Sequence, residues 1–275
     1  MSFLQDVILK DRYRIIRLLN EGWFGAVYRA EDIVNDVDVA IKEVSLSNGI
    51  EDQPFSRMAD LLISLHHDHL TRVTDYFTIP TQGSYLVMEF IEGIDLQTLL
   101  ESGSITLDTN IQYEWIDQIS DALEYLHSQS PPIVHCDIKP TNIRIMHNGK
   151  AKLVDFGLAM QVDPNIESSN RVYGVSPGYS PPELYRNFPI DERTDQYAVG
   201  ATLYTLITGI RPVESIARSR GKVLAEPHDL NSDVPTAIEQ VTMRALQLQP
   251  EERFSTITEF REALSQAVED INRDT

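Results

Sequence analysis

The hydrophobic pattern changes period once, near residue 94, and this restricts the chain to folds in which strands and helices are segregated. Before that point, YRIIRLL (13–19), AVYRAE (26–31) and VDVAIKEV (37–44) carry β-branched and apolar residues in short runs. Turn-forming NEGWFG (20–25) and VND (34–36) separate them. VTDYFTI (73–79) and SYLVMEF (84–90) are two further strands. One helical segment intervenes, QPFSRMADLLISLHH (53–67). There Phe55, Ala59, Leu62 and Leu65 share a stripe and Pro54 suits a first turn. Beyond residue 94 the pattern is mostly helical. IQYEWIDQISDALEYLHS (111–128) aligns Ile111, Trp115, Ile119, Ala122 and Leu126 on one face. DQYAVGATLYTLIT (195–208) is apolar nearly all round, which predicts a buried helix ended by Gly209. Thr256 and Glu259 form a capping box for the last helix. Asn148-Gly149 marks a hairpin between NIRIM and KAKLVDF. The expected class is α+β: a small β lobe, a short connection near 89–95, and a larger helical lobe.

Apolar residues make up 42% of the 275, enough for a sizeable core. Against 23 Lys and Arg stand 42 Asp and Glu, a net charge of −19 that argues against nucleic acid or an anionic membrane as partner. No uninterrupted apolar run approaches the roughly 20 residues of a membrane span. The single cysteine points to a reducing compartment, and MSFLQDVILKDRYR lacks a secretory signal pattern. A cytoplasmic chain is expected.

Four stretches carry chemistry. The turn Asn20-Glu-Gly22-Trp-Phe-Gly25 offers backbone N–H groups and close approach to phosphate oxygens, though an ordinary hairpin reads the same way. Lys42 interrupts an apolar strand, where its ammonium must meet an anion or reach solvent. In HCDIKPTN, Asp137 can take a proton from a hydroxyl, Lys139 can offset developing negative charge, and Asn142 offers a hard amide oxygen suited to Mg²⁺. Asp155, in KLVDFG, supplies a second oxygen ligand. Either loop alone could be a surface loop with capping acids; both together, with Lys42 and a glycine turn upstream, point to a phosphate-bound Mg²⁺.

Over residues 12–271 these motifs resemble the eukaryotic-type (Hanks-type) serine/threonine protein kinase family, in a bacterial-like form. The resemblance implies a single bilobal kinase domain over 1–275, with an antiparallel β lobe at 12–90, a hinge at 91–94 and a helical lobe at 95–271. It implies ATP and Mg²⁺ as cofactors and a protein Ser or Thr hydroxyl as acceptor. Gly22, Gly25 and Val27 then line the glycine loop, and Lys42, following Ala40, holds the α- and β-phosphates. Met88, Glu89 and Ile91 flank adenine, with Met88 as gatekeeper and Asp95 near the ribose. Asp137 is the base, Lys139 its charge partner, and Asn142 and Asp155 the metal ligands. Asp195, with Gly200, braces the catalytic loop; Arg253 pairs with Glu183 of SPPE (180–183). Leu62, Val73, His135 and Phe156 form an apolar spine.

Three positions depart from the family pattern. Asn20 stands where the first loop glycine is usual; asparagine tolerates left-handed backbone, which would preserve the turn. Met58 stands where a glutamate normally pairs with Lys42. Asp60 lies about 200° around the helix from it, and Glu51 or Asp52 would need an unusual arrangement. This favours, as the alternative, a nucleotide-binding pseudokinase acting as a regulatory or scaffold module. Cys136 replaces an arginine that receives phosphate in relatives switched by activation-loop phosphorylation. A packed cysteine is expected there, and phosphorylation at Ser168, Ser169, Tyr173 or Ser176 is not expected to be the main switch.

Overall fold

The computed structural model describes residues 5–22, 25–44, 52–80, 82–103, 109–162, 174–186 and 188–274. It comprises two compact units, Met1–Glu92 and Gly93–Thr275.

The first unit is an antiparallel sheet with one helix. Its strands are β1 (Ile8–Leu9), β2 (Tyr13–Gly22), β3 (Gly25–Asp32), β4 (Val37–Val44), β5 (Val73–Ile79) and β6 (Gly83–Glu89), in the order β1-β2-β3-β4-β6-β5. Burial alternates along β3, as period-two patterning requires. One face carries the core, with Tyr13, Ile15, Tyr28, Val39, Ile41, Phe77 and Tyr85 all buried. Tyr13 of β2 stacks on Phe77 of β5, 5.7 Å between centroids, and Phe77 on Tyr85 at 5.1 Å. Because β2 and β5 lie near opposite ends of the strand order, this stacking requires the sheet to curl. The helix α1 (Asp52–Ser64) packs on β5, burying Ala59 and Leu62. It stops three residues short of the expected His67, and Leu65 is buried just beyond it.

The second unit contains β7 (Ile94–Asp95), α2 (Leu96–Glu101), α3 (Thr109–His127), β8 (Ile133–Val134), β9 (Ile143–Ile145), β10 (Ala151–Leu153), β11 (Met160–Gln161), α4 (Pro182–Arg186), α5 (Arg193–Thr208), α6 (Ser215–Arg218), α7 (Pro227–Leu230), α8 (Thr236–Ala245) and α9 (Ile257–Asp274). The stripe of α3 is buried at Trp115, Ile119, Ala122 and Leu126. Ile111, at the helix start, is exposed, while its neighbours Gln112 and Tyr113 are buried. The helix α5 is buried from Thr194 to Ile207, and Gly209 ends it at φ +71° with its N–H on Thr205 O. A Cβ on Gly200 would lie 2.7 Å from the Ala245 Cβ, so the glycine lets α8 approach α5. At α9 the Thr256 hydroxyl accepts the Glu259 N–H (3.1 Å), but the Glu259 carboxylate turns to the Ser255 N–H (2.7 Å), so the box closes one residue early.

Candidate active site

The hairpin of β9 and β10 is short, with Ala151 opposite Ile145 and Leu153 opposite Ile143. Its turn bonds Gly149 N–H to Met146 O, with Gly149 at φ +83°, as the Asn-Gly signal predicts. At the open end, Val154 N–H donates to Asn142 O at 2.8 Å. One ladder therefore brings together the segment ending at Asn142 and the segment beginning at Asp155. Asp155 has left-handed backbone, φ +78°, and its Oδ1 accepts the Gly157 N–H at 2.9 Å. Phe156 is buried against His135, with ring centroids 5.6 Å apart.

The Asp137 carboxylate is the hub of the preceding loop. Lys139 Nζ reaches both its oxygens at 2.8 Å. Asn142 Nδ2 donates to Asp137 Oδ2 (2.9 Å) and to Asp137 O (2.8 Å). The Ser176 hydroxyl donates to Oδ1 at 2.7 Å and lies 2.8 Å from Lys139 Nζ. Ser176, which sequence reasoning grouped with the phosphoacceptors, is thus a partner of the Asp137–Lys139 pair. The contact spans 39 residues, and nothing local in the sequence signals it.

The loop is strained and braced. Cys136 is at φ +65°, unusual for a residue with a Cβ. The fully buried Asp195 holds it: Oδ1 accepts the Cys136 N–H and Oδ2 the His135 N–H, both at 2.8 Å. His127 Nε2 lies 3.0 Å from the same Oδ2, a third partner that the motif reading missed. The Cys136 side chain packs with Val134, Met160, Leu184 and Ile190, as a small apolar residue rather than a cation would. Further along the chain, Arg253 makes a buried bidentate pair with Glu183 at 2.7 and 3.0 Å.

In the first unit, Lys42 is buried, 5% exposed, and lies opposite Val27 and Leu86 in the sheet. Ala40 lies opposite Met88. Paired residues point to the same side, so Val27, Ala40, Lys42 and Met88 share the face opposite the core. Gly25, paired with Gly22, is at φ +121°, and a Cβ there would lie 1.9 Å from Glu43 O; only glycine fits. Asn20 pairs with Val27 inside β2 and is not among the positive-φ residues, so left-handed tolerance is not what retains it. Glu89 exchanges two bonds with Arg72, each 2.9 Å, and Ile91 is half-buried. In the second unit, Asp95 caps α2 through Thr98 N–H (2.9 Å) and Thr98 Oγ1 (2.8 Å).

Met58 is half-buried on α1. The Tyr76 hydroxyl has its pKa raised, first by burial and then by the neighbouring Asp60 carboxylate. Asp60 is therefore engaged with β5. Glu51, Ser168, Ser169 and Tyr173 lie outside the described residues, as does the Asp52 side chain.

A curled sheet with one helix, together with a helical unit that displays an Asp–Lys–Asn loop on a short hairpin, is the make-up of a protein kinase. The kinase domain of Mycobacterium tuberculosis PknI superposes with a TM-score of 0.78 over 97% of this chain and 99% of that one, at 24% identity. Residues 13–267 match the model of the protein kinase domain, and the chain belongs to that family. It is similar to a probable serine/threonine-protein kinase of Clostridium acetobutylicum, 32% identical over 94% of this chain and 40% of the relative. It is also similar to the probable kinase PknB of Lactococcus lactis (31%, 92% and 41%) and to PrkC of Bacillus subtilis (31%, 90% and 39%). The chain spans about two fifths of the length of these relatives. The family implies ATP and a divalent metal ion.

The residues present suit such an ion. Both Asn142 amide hydrogens are directed at Asp137, which leaves the amide oxygen as the atom an ion would meet. Among the described residues, no group of three or more His, Cys, Asp or Glu forms an all-protein cage. A hard ion here would complete its shell with water and phosphate oxygens.

Proposed function

We propose that the protein transfers the γ-phosphate of ATP to Ser or Thr hydroxyls of a protein substrate, with Mg²⁺. The observation that carries this is the Ser176 hydroxyl donating to Asp137 Oδ1 at 2.7 Å. It supports Asp137 as a carboxylate able to orient an alcohol and take its proton. Lys139, 2.8 Å from both carboxylate oxygens, offsets charge as the phosphoryl group moves. Asn142 and Asp155 hold the metal, which when bound neutralises phosphate charge. Lys42 engages the α- and β-phosphates. Gly22, Gly25, Val27, Ala40, Met88, Glu89, Ile91 and Asp95 receive the nucleotide. The apolar setting of Cys136 supports activity without activation-loop phosphorylation. The buried, unbridged thiol is in keeping with a cytoplasmic setting.

The second reading, a nucleotide-binding pseudokinase, is favoured by Met58 and by the engagement of Asp60 with Tyr76. Radiolabel transfer from ATP to a generic protein substrate separates the two. Transfer that Asp137→Asn lowers at least about 10³-fold supports the kinase. Stabilisation of the fold by ATP with no transfer supports the pseudokinase.

A further inference from the structure

The turn of the β9–β10 hairpin is gripped by helix α3 at two points. Trp115 Nε1–H donates to Gly149 O at 2.8 Å, and Gln118 Oε1 accepts the Ala151 N–H at 2.7 Å. Gln118 is itself fixed, because its Nε2 donates to Glu114 Oε1 at 3.0 Å. Trp115 and Gln118 are both buried. The open end of the same hairpin carries Asn142 and Asp155, joined across the ladder by Val154 N–H to Asn142 O. Ala151 to Asp155 spans about 13 Å at roughly 3.3 Å per residue, so a tilt of about 5° at the turn moves the carboxylate by about 1 Å. Displacements of about that size matter for oxygen ligands and reacting groups.

We infer that Gln118 and Trp115 are positioning residues, which set the placement of the Asn142 and Asp155 oxygens from the far end of the hairpin. The inference rests on the assignment of those two residues as metal ligands. Gln118→Met keeps the volume but removes the acceptor of the Ala151 N–H. The exchange Glu114→Gln with Gln118→Glu restores an acceptor to Ala151 and reverses the donor and acceptor within the helix pair. Trp115→Phe removes the indole N–H together with part of the buried ring, and is the independent probe.

The experiment measures ADP binding by calorimetry, with Mn²⁺ and with EDTA, alongside thermal unfolding. Gln118→Met is expected to weaken Mn²⁺-ADP about tenfold, with ADP in EDTA changed less than about twofold. The exchange variant is expected to recover to within about threefold of wild type, and Trp115→Phe to lie between the two. Equal weakening with and without Mn²⁺ overturns the inference, as does no weakening in both Gln118→Met and Trp115→Phe. If wild type binds ADP equally well in Mn²⁺ and EDTA, the metal-ligand assignment itself fails. If Gln118→Met does not fold, Trp115→Phe decides the matter.

Discussion

Replacing Asp195 by asparagine tests how the catalytic loop is held. The carboxylate is fully buried and accepts the His135 and Cys136 N–H groups, each at 2.8 Å, with His127 Nε2 at 3.0 Å. Asparagine has one acceptor oxygen, so one backbone N–H must face an amide NH₂. Losing one charge-assisted bond costs about 1.5–3 kcal/mol, and leaving a buried donor unsatisfied about 1–3 kcal/mol more. His127 can return part of this by accepting from the new amide, which brings the expected loss to about 3–4 kcal/mol. Total stabilities are about 5–15 kcal/mol, so the variant still folds at 25 °C, with a transition lowered by about 10 °C. Because Cys136 is left-handed at φ +65°, releasing one N–H lets the loop relax toward ordinary backbone and shifts Asp137. Phosphoryl transfer should fall about 10²-fold or more, with ATP affinity changed little. Urea unfolding and steady-state transfer kinetics check the two parts. A stability loss under about 1 kcal/mol, or unchanged turnover, would refute the argument that Asp195 holds the loop under strain.

Two further predictions concern charge. Asp32 takes a bidentate pair from Arg12 (2.9 and 2.7 Å), as well as the Asn35 amide, and its pKa is lowered to about 2, first by the Arg12 bond. A depressed folded pKa stabilises above the unfolded value and is lost as pH falls through the folded one. Asp32→Asn should therefore cost about 1–2 kcal/mol at pH 7 after screening at the half-exposed Arg12, a gap that narrows between pH ~4 and ~2; urea midpoints across that range measure it. Alanine or aspartate at Ser168, Ser169 and Tyr173 should change turnover less than about tenfold, whereas Ser176→Asp, which sets a second carboxylate against Asp137, should abolish it. Kinetics of the four-position series tests both halves.

The strands β2 to β6, the helices α1, α3, α5 and α9, the hairpin at Asn148-Gly149 and the α5 stop at Gly209 were legible from local periodicity and turn chemistry, because those signals act within a few residues; the short elements β1, β7, β8, β11, α2, α4, α6 and α7, and the helix α8, were not. The Asp–Lys–Asn loop and Asp155 were legible as residue types at a spacing. What could not be read locally lies at long sequence separation. Ser176 meets Asp137 across 39 residues, His127 meets Asp195 across 68, and Trp115 meets Gly149 across 34. Residue type suggests that Asn20 preserves the turn by tolerating left-handed backbone, but pairing with Val27 makes it a strand residue instead. In the Asp–Lys–Asn loop, left-handed backbone falls at Cys136, where Asp195 draws two successive N–H groups to one carboxylate. Residue type and period are enough to say which chemical groups the chain carries and which of its longer elements bear them. Tertiary structure alone decided which groups meet, because a hydrogen bond between distant segments depends on packing that no short window of residues encodes.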